Sequence, residues 1–151
     1  MPRKIIIKYI ASAFLIAGFL LTAGHHWAKQ IQLQELRFHY STLLSKYPIG
    51  NKKVNISELL SQKSTTVNFI QFYGKVKPHY HKTHDEIVVS LSDNGMMRVG
   101  EKKYNLHKGS LFFVPKKTEH EARCDGAKIC HAYSIFLPKL NPKKPDRIWA
   151  D

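Results

Sequence analysis

The sequence HYHKTHDEIVVSLSDNGMMRVG, residues 79–100, decides the fold class, because it joins a compact group of His and Glu residues to strand-like runs. The runs EIVVSL and MMRV are rich in β-branched and apolar residues, and the SDNG between them is a turn signal. The same texture continues outward, with TTVNFIQFY before this stretch and SLFFV and KICHAYSIFL after it. Short strands with frequent turns predict an all-β sandwich or barrel.

His79, His81, Glu86 and His120 form a candidate metal site within this region. Alternate residues of a strand point to the same side, so the imidazoles of the His-x-His pair share a face. Glu86 opens the run EIVVSL, and His120 comes much later in the chain. Three imidazoles and one carboxylate suit a divalent transition metal, with Fe, Mn, Ni, Cu, Co and Zn all open. A His-x-His pair alone is a weak signal, so the prediction depends on all four residues.

The order and spacing of these residues resemble the two motifs of the cupin family. The first motif is carried by Gly74, His79, His81, Glu86 and Gly95, and the second by Gly109, Pro115 and His120. The chain departs from the motifs at Lys117, where Gly is usual, and at Cys124, where Asn is usual. The resemblance implies a double-stranded jelly-roll barrel over residues 53–140, with the four candidate ligands converging inside it.

Several residues near the candidate ligands carry further expectations. His84 is expected in a loop or at the rim of the barrel. Asp85 either orients a ligand from outside the coordination sphere or remains a solvated acid, and both alternatives stay open. Residues 141–151 are predicted to form a C-terminal tail, in which Trp149 packs on the barrel or covers the pocket.

Residues 1–24, MPRKIIIKYIASAFLIAGFLLTAG, predict a membrane segment or a signal peptide. A basic start with Arg3, Lys4 and Lys8 precedes an apolar run, and a helix over residues 5–24 would span roughly 30 Å, the thickness of the hydrocarbon core. The positive-inside rule places this start in the cytoplasm and the barrel outside it. We therefore expect a single-pass membrane protein whose C-terminal domain is periplasmic or otherwise extracytoplasmic. The alternative is a secreted or periplasmic protein after signal cleavage.

The stretch between this segment and the barrel has helical periodicity. Apolar residues recur at spacings of three and four at Leu33, Leu36, Tyr40, Leu43, Leu44 and Tyr47. The pattern predicts an amphipathic helical connector within residues 25–52, ended by Pro48 and Gly50. Asn55-Ile-Ser-Glu58 resembles a capping box and predicts a short second helix.

Cys124 and Cys130, the two cysteines of the chain, flank Asp125-Gly126, a strong hairpin turn signal. In a symmetric hairpin they would face each other across one sheet, close enough for a disulfide bond. An extracytoplasmic location would supply the oxidising compartment. Two alternatives stay open: both residues could be ordinary buried thiols, or Cys124 could line the pocket.

The charge of the chain indicates which partners it favours. The formal net charge is +13, and removing the three charges of residues 1–24 still leaves +10 on the remainder. Such a charge favours anionic lipid, nucleic acid or an anionic small molecule. The lysines are scattered and no aromatic ladder accompanies them, which argues against nucleic acid as a partner. Membrane contact is expected through residues 5–24, and both a monomer and a homodimer stay open.

The family resemblance leaves two classes of function open. A metal-dependent oxygenase or isomerase acting on an unidentified small molecule is one expectation. A non-catalytic module that binds or senses a small ligand at the membrane is the alternative. No residue outside the candidate ligand set stands out as a general base, so the sequence does not choose between them.

Overall fold

A computed structural model describes residues 37–144 and 146–150, which contain one helix and ten strands. The elements are α1 (Tyr40–Lys46), β1 (Val54–Ser61), β2 (Thr66–Tyr73), β3 (Lys75–His81), β4 (Asp85–Ser90), β5 (Gly95–Val99), β6 (Lys102–Asn105), β7 (Leu111–Val114), β8 (His120–Cys124), β9 (Ile129–Leu137) and β10 (Arg147–Trp149). The strands dominate, which confirms the prediction of an all-β domain.

The strands form two five-stranded sheets. The first sheet has the order β1-β2-β9-β4-β7, and the second has the order β10-β3-β8-β5-β6. All recorded pairs are antiparallel, and neighbours in a sheet are often distant in sequence, as β2 and β9 are. The polypeptide therefore crosses repeatedly between the two sheets, and each sheet contributes one wall of the interior.

The interior is lined by one face of each sheet. In β9, Cys130, Ala132, Ser134 and Phe136 are buried and alternate with more exposed residues, as expected for a strand with one face on a core. The largest apolar cluster consists of Phe72, Met97, Leu106, Phe112, Val114, Cys124 and Cys130. The polar site residues are not members of this cluster, but Phe72 and Met97 line the same inner cavity as His79, Glu86 and His120.

The outer face of the first sheet is also covered. Phe69 and Gln71 are fully buried in β2, although they alternate with the residues that face the interior. The Gln71 amide donates a hydrogen bond of 2.9 Å to the backbone carbonyl of Tyr47. Leu43 and Ile49 are buried in the same stretch of chain. The segment that follows α1 therefore packs on the sheet.

Gly95 marks a close approach between two strands of the second sheet. It opens β5 opposite Cys124 of β8. A Cβ atom at Gly95 would lie 2.1 Å from the backbone carbonyl oxygen of Arg123. Only glycine fits there without a backbone shift.

The predicted second helix at residues 55–58 is wrong, because these residues lie within β1. Val54 pairs with Phe72 and Ile56 with Ile70 of β2. The β-branched residues at alternate positions suit this pairing. The neighbouring strand supplies backbone hydrogen bonds along the whole segment, and these outweigh the local capping signal.

The symmetric hairpin predicted around residues 124–130 is also wrong, because the strands on either side of this turn belong to different sheets. The structure does join Cys124 and Cys130 in a disulfide bond, with a Cα–Cα distance of 5.6 Å. Both residues are buried in the apolar cluster. The bond therefore links the two sheets across the interior and does not pair two strands of one hairpin.

The N-terminal predictions fall mainly outside the described residues. The membrane or signal segment at residues 5–24 and the connector before residue 37 belong to that part of the chain. The helix α1 covers a part of the predicted connector and ends before Pro48. Within residues 37–144 and 146–150, no helix has the length and apolarity needed to span a bilayer.

The predicted C-terminal tail contains a strand. Residues 147–149 form β10, which pairs with β3 at the edge of the second sheet. Arg147 lies opposite His81, and Trp149 lies opposite His79. The ring of Trp149 lies 5.4 Å from the imidazole of His79, centroid to centroid. The end of the chain is therefore part of the site wall.

Candidate metal centre

Three strands bring the candidate ligands together. His79 and His81 occupy alternate positions of β3, and His120 opens the neighbouring strand β8 directly opposite His79. Glu86 is the second residue of β4 in the facing sheet. All four side chains point inward, with 3% or 4% of each residue exposed.

The functional atoms of these residues converge. One ring nitrogen from each of His79, His81 and His120 lies within 4.8 Å of the others. Glu86 Oε2 lies 3.0 Å from His120 Nε2 and 3.3 Å from His81 Nε2. The imidazole centroids of His79 and His120 are 4.2 Å apart. The spacing places four nitrogen and oxygen donors around one point.

Backbone carbonyls fix the tautomers of two imidazoles. His79 Nδ1 donates to the carbonyl of Lys77 at 2.7 Å, and His120 Nδ1 donates to the carbonyl of Thr118 at 3.1 Å. Because a carbonyl accepts only, each Nδ1 carries a hydrogen, and in the neutral imidazole Nε2 then has a lone pair available for a metal. Such hydrogen bonds orient histidine ligands in metal sites.

The electrostatics keep the site in the form that binds metal. Burial, together with the neighbouring His120, lowers the pKa of His79 to about 3, so its imidazole is neutral. Burial alone would raise the pKa of Glu86, but the adjacent His120 and His81 hold this pKa well below its usual range. Glu86 is therefore a carboxylate. The hydroxyl of Ser134 donates a very short hydrogen bond to Glu86 Oε1, which leaves Oε2 facing the histidines.

The unmet hydrogen-bonding capacity of the site fits a metal ion. His81 Nε2, Glu86 Oε2 and His120 Nε2 are buried and face one another, and none has a hydrogen-bond partner outside this group within the part of the chain that the structure describes. Buried polar atoms without partners are costly. A cation between them would satisfy all three, and the combination of imidazole and carboxylate suits the divalent transition metals.

A second group of polar residues lies behind His81. Asp146 Oδ1 accepts hydrogen bonds from the Thr83 amide at 2.9 Å and the Thr83 hydroxyl at 2.6 Å. Its Oδ2 lies 2.7 Å from His84 Nδ1 and 3.5 Å from His81 Nδ1. A carboxylate thus faces the outer ring nitrogen of a candidate ligand, the arrangement that orients metal-bound imidazoles.

His84 lies in the loop between β3 and β4, in agreement with the expectation of a loop residue, but it is buried. Its Nε2 donates to the carbonyl of Lys139 at 3.1 Å, while its Nδ1 faces Asp146. Asp85 Oδ1 accepts a hydrogen bond from the backbone amide of Lys116 and touches no candidate ligand. The orienting acid is Asp146, which sequence reasoning missed because strand pairing, not sequence proximity, brings it to the site.

The two departures from the family motifs have local explanations. Lys117, where Gly is usual, adopts a left-handed conformation with φ of 65°, so the turn keeps its shape. Its amide donates to the carbonyl of His81 at 2.6 Å, which ties this turn to β3. Cys124, where Asn is usual, is bonded to Cys130 in the apolar cluster. The structure therefore does not support the alternative of Cys124 as a free pocket thiol.

Three cavities meet near the site. An inner cavity of about 50 Å³ is lined by His79, Glu86, His120 and apolar side chains of both sheets. An outer cavity of about 450 Å³ reaches His81 and Asp146. A second outer cavity of about 840 Å³ lies against β1, β3 and β10. The inner space holds little more than a solvent molecule or one functional group, so a larger ligand would extend into an outer cavity.

A family model described as the cupin domain matches residues 71–136 of this chain. The matched span contains all four candidate ligands but neither Asp146 nor Arg147. Residues 71–136 thus match the cupin domain, and the segment that closes one side of the site lies beyond the matched span. No curated protein matches this chain.

Solved structures show the same fold. KdgF from a Halomonas species is 18% identical, with a TM-score of 0.57, over 65% of this chain and 90% of that one. A conserved protein with a double-stranded β-helix domain from Klebsiella pneumoniae is 16% identical, with a TM-score of 0.60, over 72% and 94%. A cupin-2 domain protein from Shewanella frigidimarina is 16% identical, with a TM-score of 0.58, over 71% and 99%. At these identities the likeness establishes the cupin jelly roll and nothing about activity.

Proposed function

We propose that this protein is a metal-binding cupin in which His79, His81, Glu86 and His120 hold one divalent transition-metal ion. The observation that carries the proposal is the set of buried donor atoms that face one another and have no hydrogen-bond partner outside this set within the described residues. Protons or solvent could relieve part of this cost, but a single cation satisfies every member of the set.

The residues around the proposed ion would limit what chemistry takes place there. A bound transition metal would supply Lewis-acid chemistry toward a carbonyl or, as iron, copper or nickel, oxygenase chemistry. Phe72, Val88 and Met97 line the inner cavity and restrict access of bulk water. Ser134 and the backbone carbonyls hold the ligands in place, so the site is organised before a small molecule enters.

Our leading candidate activity is that of an oxygenase or isomerase acting on a small molecule. A non-catalytic binding module is the second candidate, and one observation favours it. Apart from the proposed ligands, the inner cavity is lined by two ionisable residues, Glu121 and Arg147. Glu121 is engaged by Lys75 and Arg98, and Arg147 is a poor proton acceptor. Neither is suited to act as a general base.

We further propose that the cupin domain works outside the cytoplasm. The Cys124–Cys130 disulfide supports this location, because such bonds persist in oxidising compartments. The basic start and apolar run of residues 1–24 support it independently.

Metal reconstitution tests the proposed function. The purified full-length chain, stripped with a chelator and dialysed against each of the six candidate metals in turn, should retain about one ion per chain of at least one metal by elemental analysis. Oxygen uptake by the loaded protein on addition of a small molecule, absent in His120→Ala, would favour the oxygenase. Retention of no metal under any of the six conditions would contradict the proposal.

A further inference from the structure

Arg147 occupies a position common to all three cavities near the metal centre. It is the first residue of β10 and lies opposite His81 in the register with β3. Its side chain lines the inner cavity together with His79, Glu86 and His120. It also lines both outer cavities. Among the residues that the structure describes, Arg147 is therefore the one that lines all three of these cavities.

The guanidinium of Arg147 has unused hydrogen-bonding capacity. Its Nε is buried and makes no hydrogen bond to any described residue. Within residues 37–144 and 146–150, no carboxylate lies within 4.0 Å of the guanidinium. The nearest recorded partner is the Trp149 ring, whose centroid is 5.4 Å from Cζ. Burial lowers the pKa of Arg147, yet a guanidinium stays charged at neutral pH.

The charge balance around Arg147 favours an anion. Two carboxylates line the inner cavity: Glu121 is paired with Lys75 and Arg98, and the proposed divalent ion would more than neutralise Glu86. The cavity of about 840 Å³ is further lined by Lys52, Lys53, Lys75 and Lys77 and by no acidic residue. The four lysines are exposed, but the Nε of Arg147 is buried, and a buried positive charge favours a compensating partner.

We propose that Arg147 is the recognition residue for a carboxylate of the small-molecule ligand, held beside the metal centre. This inference rests on the proposed function, because it places the ligand next to the proposed ion. Arginine presents a planar fork of donors that matches a carboxylate in a bidentate pair. The inner cavity of about 50 Å³ suits this flat group better than a tetrahedral phosphate.

Calorimetric titration with malonate tests the inference on the full-length chain, in metal-free and Zn²⁺-loaded forms. Malonate should bind the wild-type protein, and Arg147→Met should weaken this binding by about ten- to a hundredfold. Arg147→Lys keeps the charge but not the fork and should recover only a part of the loss. Malonamide, the neutral counterpart of malonate, should bind the wild type no better than malonate binds Arg147→Met.

Lys103→Met is the matched control, because Lys103 is exposed on β6 and lines none of the three cavities. It removes the same charge and should change malonate affinity by less than about fivefold. Metal content and thermal unfolding are measured for every variant, and Arg147→Lys takes the place of Arg147→Met if the latter does not fold.

Three outcomes would overturn the inference: no malonate binding by the wild type, equal affinity in wild type and Arg147→Met, or inorganic phosphate binding in preference to malonate. Equal affinity at unchanged metal content would leave the proposed function standing. Arg147-dependent malonate binding by a chain that takes up no metal would support carboxylate recognition and contradict the metal site.

Discussion

Asp146 shows how a single residue can hold a candidate ligand in place without touching the metal position. Thr83 fixes one carboxylate oxygen through two hydrogen bonds, and the other oxygen faces His84 and His81. The carboxylate is therefore oriented before any ion binds. Its Oδ2 lies 3.5 Å from His81 Nδ1, which favours the tautomer in which Nδ1 carries the hydrogen and Nε2 is available to a metal at the centre.

Asp146→Asn tests this role. We expect metal affinity to fall by about ten- to a hundredfold, because the amide has no negative charge to hold the His81 imidazole. Competition with a chromophoric chelator measures the affinity. Asp85→Asn is the control, since Asp85 is adjacent to Glu86 in sequence but bonds to the Lys116 amide. A larger effect of the control substitution would contradict the assignment.

The sequence singled out the four residues that converge in the candidate centre, but not the residues around them. His79, His81, Glu86 and His120 follow a pattern of spacing that can be read along the chain. Asp146 and Arg147 reach the site because β10 pairs with β3. The two strands are far apart in the chain, and β10, with three residues, is too short to show a periodic pattern in the sequence. The only sequence feature that drew attention to this region was the segment DRIW at residues 146–149, to which both residues belong.

At the level of strands, Glu121 of β8 links its strand to both neighbouring strands of the second sheet. From β8 it contacts Lys75 of β3 at 2.9 Å and Arg98 of β5 at 3.0 Å. The hydrogen bond from Lys75 and that from Arg98 lower the pKa of Glu121, against the opposing effect of burial. Because β8 also carries His120, these pairs hold the strand that delivers one candidate ligand.

Glu121→Gln should lower the free energy of unfolding by about 1 kcal/mol at pH 7, since the pairs are partly exposed and screened. The pKa of Glu121 is lower in the folded chain than in the unfolded chain. Its ion pairs therefore stabilise the fold fully at pH values above the pKa of the unfolded chain, and this stabilisation is lost as the pH falls through the pKa of the folded chain. The difference between variant and wild type should therefore shrink below about pH 4. Urea unfolding at several pH values measures it. Glu58→Gln, at an exposed position of β1, is the control, and a difference that grows in acid would contradict the account.

Element-level predictions failed where pairing across the barrel decided the conformation. A local capping signal at residues 55–58 predicted a helix, but β2 provides a partner strand for every residue of that segment. The turn at Asp125-Gly126 was predicted to join two strands of one sheet, but it connects the two sheets. Local signals report turns and strands, whereas the choice of partner strand depends on distant residues.

At the scale of the whole molecule, the Cys124–Cys130 bond links the two sheets inside the apolar cluster. Replacement of both cysteines by alanine should lower the free energy of unfolding by about 2 kcal/mol, because the closed loop is short. Alkylation of the unreduced protein, read by mass spectrometry, should label neither cysteine. Two labelled cysteines would contradict the disulfide and return both residues to the class of buried thiols.

The location of the molecule is open to a direct test. A reporter fused after residue 151 and active only in an oxidising, extracytoplasmic compartment should give a signal, because the basic start of the chain favours the cytoplasmic side. A second fusion at the same position carries a reporter that is active only in the cytoplasm, and it should give no signal. The opposite pair of results would reverse the proposed topology. N-terminal sequencing of the mature protein would distinguish a retained anchor from a cleaved signal peptide.

The central claim is that three histidines and one glutamate hold a single metal ion. Elemental analysis of the full-length chain, compared with a His79→Ala/His81→Ala variant purified in the same way, tests it most directly. We expect about one transition-metal ion per wild-type chain and none in the variant, because two of the four donors are removed. Wild-type stoichiometry in a folded double variant would contradict it.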